Sequence, residues 1–305
     1  SLKEDIMDFD STVTPSGPIK LKRLKTSRPL PLGLIYHCPK TGVPISTSLH
    51  AAAWYQMLQR YPDRQWAYRL VHDIIYGVDI GFVGCRNRTV QSKNFLEDPL
   101  HETAIEEDIN KDLHNGRIIG PYLISKMPWK YFHSSPIMTV VKKGSGKVRV
   151  VHHLSYPRGN SINTYTKDWL CVLSRFAQAT KMVCSIGRSC HMAKMDIKSA
   201  YRLIPIRPAD WPLLGFTFHG HIYFHTTLPF GLKSSCHIWE RYSTAAEWII
   251  KNELNINNIM HYVDDSFMVE ATETACQEDV DKIETMFNRL GLTVAKEKTV
   301  GPTTR

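Results

Sequence analysis

Two adjacent carboxylates, Asp264 and Asp265, sit in the run Tyr262-Val263-Asp264-Asp265, with the apolar stretch Ile259 to Val263 before them and Phe267 to Val269 after. Short apolar runs on either side of a polar pair read as two strands joined by a tight turn, with both aspartates at its tip. Asp is also a good turn residue in its own right, so the pair alone leaves a surface turn open. A third carboxylate, Asp196, lies well upstream and ends the mostly apolar run Met192-Ala193-Lys194-Met195. Burying a carboxylate there is costly unless it is paired or metal-bound; the alternative for Asp196 taken singly is a helix N-cap at the strand exit. Three carboxylates on neighbouring strands make an oxygen-only ligand set suited to Mg²⁺. Two such ions can stabilise the attacking and leaving oxygens of an in-line phosphoryl displacement.

The surroundings of these aspartates carry a resemblance. Asp196 stands in Met195-Asp196-Ile197-Lys198-Ser199-Ala200-Tyr201-Arg202-Leu203-Ile204-Pro205-Ile206, and Leu228-Pro229-Phe230-Gly231-Leu232-Lys233-Ser234-Ser235 follows. Tyr262 to Asp265 comes third, and Leu290-Gly291-Leu292-Thr293 through Lys296-Glu297-Lys298-Thr299 fourth. In this order and spacing they resemble the four catalytic motifs of reverse transcriptases. Ser135-Pro136, the run at 148–157 and Cys236-His237-Ile238-Trp239-Glu240-Arg241 resemble retrotransposons of the DIRS type, which carry a tyrosine recombinase. Residues 48–84, with Tyr61-Pro62-Asp63-Arg64 and Tyr76-Gly77-Val78-Asp79-Ile80-Gly81, resemble the region ahead of the polymerase in those polyproteins.

The resemblance implies an RNA-directed DNA polymerase that adds deoxynucleotides to a primer 3′-OH on an RNA or DNA template. It implies Asp196 and Asp264 as ligands of two Mg²⁺ ions, with Mn²⁺ as the alternative, Asp265 in support and the Ile197 carbonyl as a further ligand. Lys298 matches the residue proposed to protonate the departing pyrophosphate, with Lys296 as its neighbour and competitor. Lys142, Arg149, Ile197, Tyr201, Phe230 and Gly231 match the nucleotide-binding positions. Arg offers a fork to phosphate oxygens and Lys a point charge, and both offset charge on the transferring group; both residues could equally be surface charges. A ring at Tyr201 would occupy the space of a ribose 2′-OH, or simply pack in the core. Phe230 stands where retroviral relatives often carry Gln. Two rival functions stay open at this level: a catalytically silent remnant that only binds nucleic acid, and an RNA-dependent RNA polymerase, against which Tyr201 speaks.

These residues need a scaffold, and the periodicity outlines one. Helices are expected at Leu49–Arg60, at Arg64–Tyr76 behind an Asp63 cap, at Glu102–Asn115, Val172–Ile186, Ser234–Asn252 and Glu273–Leu290. Hairpins are expected at Ile137–Lys143 with Lys147–Leu154, and at Leu213–Phe218 with Ile222–Thr226 around His219-Gly220-His221. Irregular alternation of helices and hairpins reads as α+β with a mostly antiparallel sheet. The resemblance makes this the fingers and palm of a right-hand polymerase, residues 96–305, with the 137–154 hairpin in the fingers. A helical region at 48–95 precedes it, ending in a linker at 86–94, and residues 1–47 form a basic, flexible arm with Lys20, Lys22, Arg23, Lys25 and Arg28 clustered. The thumb, RNase H and recombinase are expected in the full polyprotein, and Ser1 in place of Met suggests a fragment or a processed product.

Of 305 residues, 43% are hydrophobic, enough for a substantial core. The net charge of +9 has a location: no Asp or Glu occurs from Leu113 to Lys167, where Arg117, Lys126, Lys130, Lys142, Lys143, Lys147, Arg149, Arg158 and Lys167 account for it. A one-sign surface attracts polyphosphate. Seven cysteines with no CxxC spacing argue against zinc and for free thiols in a reducing compartment. No apolar run is long enough to span a membrane and no signal peptide is present, so an intracellular site, cytoplasm or nucleus, is expected. Replacing Lys142, Lys143, Lys147 and Arg149 with Gln should flatten the salt dependence of primer-template binding by roughly 0.7–0.9 in slope for each phosphate no longer neutralised. An unchanged slope in a salt titration would mean that the hairpin faces away from nucleic acid.

Overall fold

The computed structural model describes residues 29–95, 101–141, 144, 146 and 148–304. Its contacts divide the chain into Ser1–Pro31 and Leu32–Arg305, and the second unit is the one described below. The basic cluster at 20–28 lies outside the described residues, as do Lys142, Lys143 and Lys147. In chain order the elements are α1 (Ala51–Met57), α2 (Arg64–Tyr76), β1 (Val90–Gln91), α3 (Glu102–His114), β2 (Ile118–Tyr122), β3 (His133–Ser134), β4 (Ile137–Val141) and β5 (Val148–His152). Then come α4 (Phe176–Ile186), β6 (His191–Asp196), β7 (Gly215–Phe218), β8 (His221–His225), α5 (Ser235–Glu253), β9 (Ile259–Tyr262), β10 (Asp265–Glu270), α6 (Glu273–Leu290) and β11 (Val300–Thr303).

The helices form where local chemistry favours them. Asp63 accepts from the Trp66 amide at the start of α2, and Thr272 accepts from the Ala275 amide at the start of α6. Each satisfies an orphan donor of the first turn. Along α6, Cys276, Val280, Ile283, Met286, Phe287 and Leu290 are buried at spacings of three and four, one face of a 3.6-residue period. Gly291, at φ +81, ends that helix, and a Cβ there would lie 1.7 Å from the Ser48 carbonyl oxygen, so only glycine fits. The expected helix at 172–186 starts later, at Phe176, where Arg175 and Gln178 form a reciprocal cap. The helix expected at 49–60 shortens to α1.

Three sheets result. The order β11-β6-β10-β9 is antiparallel throughout. The order β1-β3-β7-β8-β2 is mixed, with β3 parallel to both β1 and β7, and β4 pairs only with β5. The class is α+β. Strands β2 and β11 were not legible in the sequence, because Gly120-Pro121 and Gly301-Pro302 read as turns. Both strands are sheet edges, where a residue without an amide hydrogen is tolerated, and both shift register at the Gly-Pro.

Two expectations about the upstream chain are corrected. Residues 86–94 are no linker: β1 pairs with β3, Arg86 reaches Asp210 at 2.6 Å, and Asn94 donates to the Thr217 carbonyl at 2.6 Å. Residues 36–47 do not continue a flexible arm: Cys38 is buried and Thr47 donates to the Leu203 carbonyl at 2.6 Å. The reason is burial of apolar and hydrogen-bonding groups that composition alone reads as a polar tail. Trp54, fully buried, donates through Nε1 to the Leu290 carbonyl at 2.9 Å and meets Tyr242 edge-on. The segment 48–95 thus packs within one unit with the later strands. None of the described helices is long and apolar enough to cross a membrane. Trp54→Ala should lower unfolding stability by about 3–5 kcal/mol, as large-to-small core changes do. Urea denaturation checks it: a loss under about 1 kcal/mol would mean that the upstream segment folds independently of α5 and α6.

Candidate active site

The antiparallel register of β6 and β10 sets Asp196 directly opposite Asp265. Asp265 also pairs with Tyr262 across the β9–β10 hairpin, which leaves only Val263 and Asp264 as the turn. One aspartate, not two, therefore occupies the tip, and Asp265 opens β10. A two-residue hairpin loop needs positive φ within it, and here Val263 supplies it, at φ +57. A β-branched residue in that region costs about 1–3 kcal/mol and persists only where its surroundings hold it. The Val263 carbonyl accepts from Trp239 Nε1 at 2.8 Å and from Ser243 Oγ at 2.9 Å, both on α5. On the other side the Ile197 amide donates to the Asp264 carbonyl at 3.0 Å. The turn is clamped between α5 and the residue that follows Asp196.

Two lysines neutralise the carboxylates. Lys298 Nζ lies 2.8 and 3.1 Å from the two oxygens of the buried Asp196. Lys194 Nζ lies 3.0 Å from Asp265 Oδ2. The hydrogen bond to Asp196 raises the Lys298 pKa, so the amine stays protonated. The Asp264 carboxyl is raised first by burial, then by repulsion from Asp196 and Asp265. Asp265 Oδ1 is buried and lacks a hydrogen-bond partner. An orphaned carboxylate oxygen beside a carboxyl raised by like charges is a donor set suited to a hard cation. Among the described residues no three acidic, His or Cys side chains converge as a ready-made metal cage, because lysines engage Asp196 and Asp265 instead. Lys296 points elsewhere, to Glu284 at 2.9 Å, so of the two candidate lysines only Lys298 is at the carboxylates.

Tyr201 lies in a 3-10 turn, Ala200–Leu203, entered through Ser199 at φ +57. Its ring centroid is 5.6 Å from that of Phe230, which is 58% exposed. Gly231, at φ +95, sits where a Cβ would lie 2.5 Å from the His152 carbonyl oxygen. That loop has a support that sequence reading missed: Asn163 donates to the Gly231 carbonyl at 2.8 Å and accepts from the Lys233 amide at 2.9 Å. Lys194 was missed too, although its position two residues before Asp196 on a strand puts both on one face. Arg149 is exposed on β5, opposite Val140, and Lys142 lies outside the described residues.

The hairpin is fixed to α5 by a further half-buried group. His261 Nδ1 lies 2.5 Å from Glu247 Oε2, and Nε2 lies 2.8 Å from Glu240 Oε1. Lys251 Nζ completes it at 2.5 Å from Glu247 Oε1.

A family model described as reverse transcriptase (RNA-dependent DNA polymerase) matches residues 140–303. The Tf2-3 transposon polyprotein of Schizosaccharomyces pombe is 24% identical over 204 residues, which are 67% of this chain and 14% of that polyprotein. The Pol-related polyprotein of the mouse intracisternal A-particle MIA14 is 26% identical over 183 residues, 57% of this chain and 19% of its own length. The chain thus spans about a seventh of the transposon polyprotein. In fold it is similar to the crystal structure of the prototype foamy virus protease-reverse transcriptase, at a TM-score of 0.54 and 21% identity, covering 71% of this chain and 26% of that one.

The His261 cluster predicts a pH dependence. Burial opposes charge on His261, but hydrogen bonds to Glu240 and Glu247 outweigh it and bring the pKa up to about 9. Burial likewise opposes charge on Glu247, yet His261 and Lys251 hold it down at about 2. The His261 contribution is complete below its ordinary value of 6.5 and is lost as pH rises through about 9. The Glu247 contribution is complete above 4.5 and is lost as pH falls through about 2. Melting temperature should therefore fall from pH 6.5 to 9, and His261→Gln should remove most of that fall. Parallel slopes for the two proteins would show that the cluster does not stabilise the hairpin.

Proposed function

This chain belongs to the reverse transcriptase (RNA-dependent DNA polymerase) family, and we propose that it is the catalytic part of a retrotransposon polymerase that adds deoxynucleotides to a primer 3′-OH. The observation that carries the reading is the cross-strand pair Asp196–Asp265 with Asp264 in the adjoining turn. In this reading the sheet of β6, β9, β10 and β11 with α5 and α6 is the palm, and the β4–β5 hairpin belongs to the fingers. Asp196 and Asp264, supported by Asp265 and the Ile197 carbonyl, would hold two Mg²⁺ ions, or Mn²⁺ in their place. Bound there, such ions supply charge stabilisation for the attacking and leaving oxygens.

The chain's own residues do the rest. Lys298, kept protonated by Asp196, holds a proton at Nζ that can pass to the leaving pyrophosphate oxygen. In this reading Tyr201 and Phe230, whose ring centroids lie 5.6 Å apart, form one wall of the nucleotide site, and the Tyr201 ring would occupy the space of a ribose 2′-OH. Arg149, exposed on β5, presents a guanidinium to the triphosphate, and Lys142 keeps the nucleotide-binding role that the sequence resemblance implies. Template-primer and dNTPs are the partners; the acid-free stretch supplies the electrostatic attraction for them. The DIRS-type subfamily rests on Cys236 to Arg241 and the 148–157 run, and cytoplasm or nucleus follows from free thiols. RNase H, recombinase and the remaining polymerase regions would accompany this chain in its polyprotein.

Primer extension with dNTPs or rNTPs on RNA and DNA templates tests the proposal. Asp264→Asn should cut extension by on the order of 100-fold or more while circular dichroism stays unchanged. Full activity in that variant would sink the assignment, and a silent remnant would show no extension to lose. Tyr201→Ala should raise ribonucleotide use relative to deoxynucleotide use by at least about 10-fold. An unchanged ratio would return Tyr201 to a packing role.

A further inference from the structure

Cys171 and Cys236 are distant in sequence, yet their sulfurs lie 2.8 Å apart. Both are half-buried free thiols. A disulfide places its sulfurs about 2.05 Å apart, so closure asks for a displacement of under about 1 Å. The side that can supply it is Cys171. It lies in a segment with neither helix nor strand, 167–175, where the flanking Leu170 and Val172 are 78% and 69% exposed. Cys236 is on the more rigid side, in the first turn of α5, whose start is tied down by Ser235 Oγ donating to the Pro229 carbonyl at 3.1 Å.

The location gives the pair a consequence. The 3-10 turn that carries Tyr201 packs against α5. The Cys236 sulfur lies beside the Tyr201 phenol, whose pKa is raised by burial first and by Cys236 next. Tyr201 in turn leans toward Phe230, six residues ahead of Cys236 in the chain and 5.6 Å away between ring centroids. The two thiols therefore back the wall that the nucleotide sugar would meet.

We infer that Cys171 and Cys236 are a reversible modification site: a hydroperoxide closes the pair into a disulfide, and the closed form repositions Tyr201. One sulfur attacks the peroxide, whose O–O bond breaks to leave an alcohol and a sulfenic acid. The second thiol then displaces water as the S–S bond forms. Two electrons pass from the sulfurs to the peroxide oxygens, and both thiol protons leave on the alcohol and the water. A dithiol reductant returns two electrons and two protons. Burial, with Cys236 adding to it, pushes the Cys171 thiol up to about 12, so near neutral pH this thiol rests protonated and closure needs sustained oxidant. The effect on sugar choice rests on the reading of Tyr201 given under Proposed function.

The test uses the 305-residue chain with 3-fluorotyrosine at position 201, treated with hydrogen peroxide and then with dithiothreitol. Peptide mass spectrometry should find a Cys171–Cys236 cross-link that the reductant removes. The fluorine resonance should shift on oxidation and return on reduction, and it should stay still in Cys171→Ser, which cannot close the bridge. Exposed Cys85 and Cys184 serve as internal controls for oxidant exposure. Absence of the cross-link while those two oxidise would overturn the inference, as would a cross-link that leaves the resonance unmoved. Neither readout needs polymerase activity. The dNTP-to-rNTP incorporation ratio, measured in parallel, should change on oxidation in the wild type alone. A chain that cross-links and shifts but never extends a primer would count against the proposed function, not against the modification site.

Discussion

A valine held at φ +57 concentrates the constraint in this molecule. Val263 accepts that conformation, at about 1–3 kcal/mol, because the hairpin loop between Tyr262 and Asp265 has only two residues. Two hydrogen bonds from α5 to its carbonyl offset the cost, each contributing a net 0.5–1.5 kcal/mol or so. The position of α5 then matters as much as the hairpin itself. Glu240 and Glu247 hold His261 from the same helix, so β9 cannot shift without breaking a half-buried charged group. A slip of one residue in the β6–β10 register would move Asp265 to the opposite face and dissolve the pair with Asp196.

A second chain of contacts fixes the charge balance. Trp54 and His50 both donate to the Leu290 carbonyl, and Gly291 closes against the Ser48 backbone. From there the chain runs beside the end of β6: the Lys198 amide donates to the Thr293 carbonyl at 2.7 Å and the Ala295 amide to the Asp196 carbonyl at 2.8 Å. That path delivers Lys298 to Asp196 and leaves Lys296 facing α6. The upstream segment thus acts on the site through the end of α6. Both lysines reach the carboxylates from half-exposed positions, where solvent screens much of the attraction, so they set the local charge balance of the site more than its stability.

Much of this was legible in the residues. The cap at Asp63 and the periodic face of α6 placed those helices within a residue or two. The polar pair between apolar runs located the hairpin. Asp196 stood out because a carboxylate among apolar residues demands a partner. These are local signals: each depends on neighbours within about one helical turn or one strand.

What tertiary structure alone decided is what depends on long-range pairing. Strands β2 and β11 hide behind Gly-Pro, which reads as a turn until an edge position makes the missing amide hydrogen harmless. Residues 86–94 read as a linker until β3 offers a partner. Asn163 gave no signal, since its value lies in two backbone groups about 70 residues later. The choice between Lys296 and Lys298, and the meeting of Cys171 with Cys236, turn on ångström distances between elements. By itself the sequence determined which residues could do the chemistry, because side-chain type and local spacing are written in it. Only the fold decided which of them meet, because that depends on register and packing between segments that are remote along the chain.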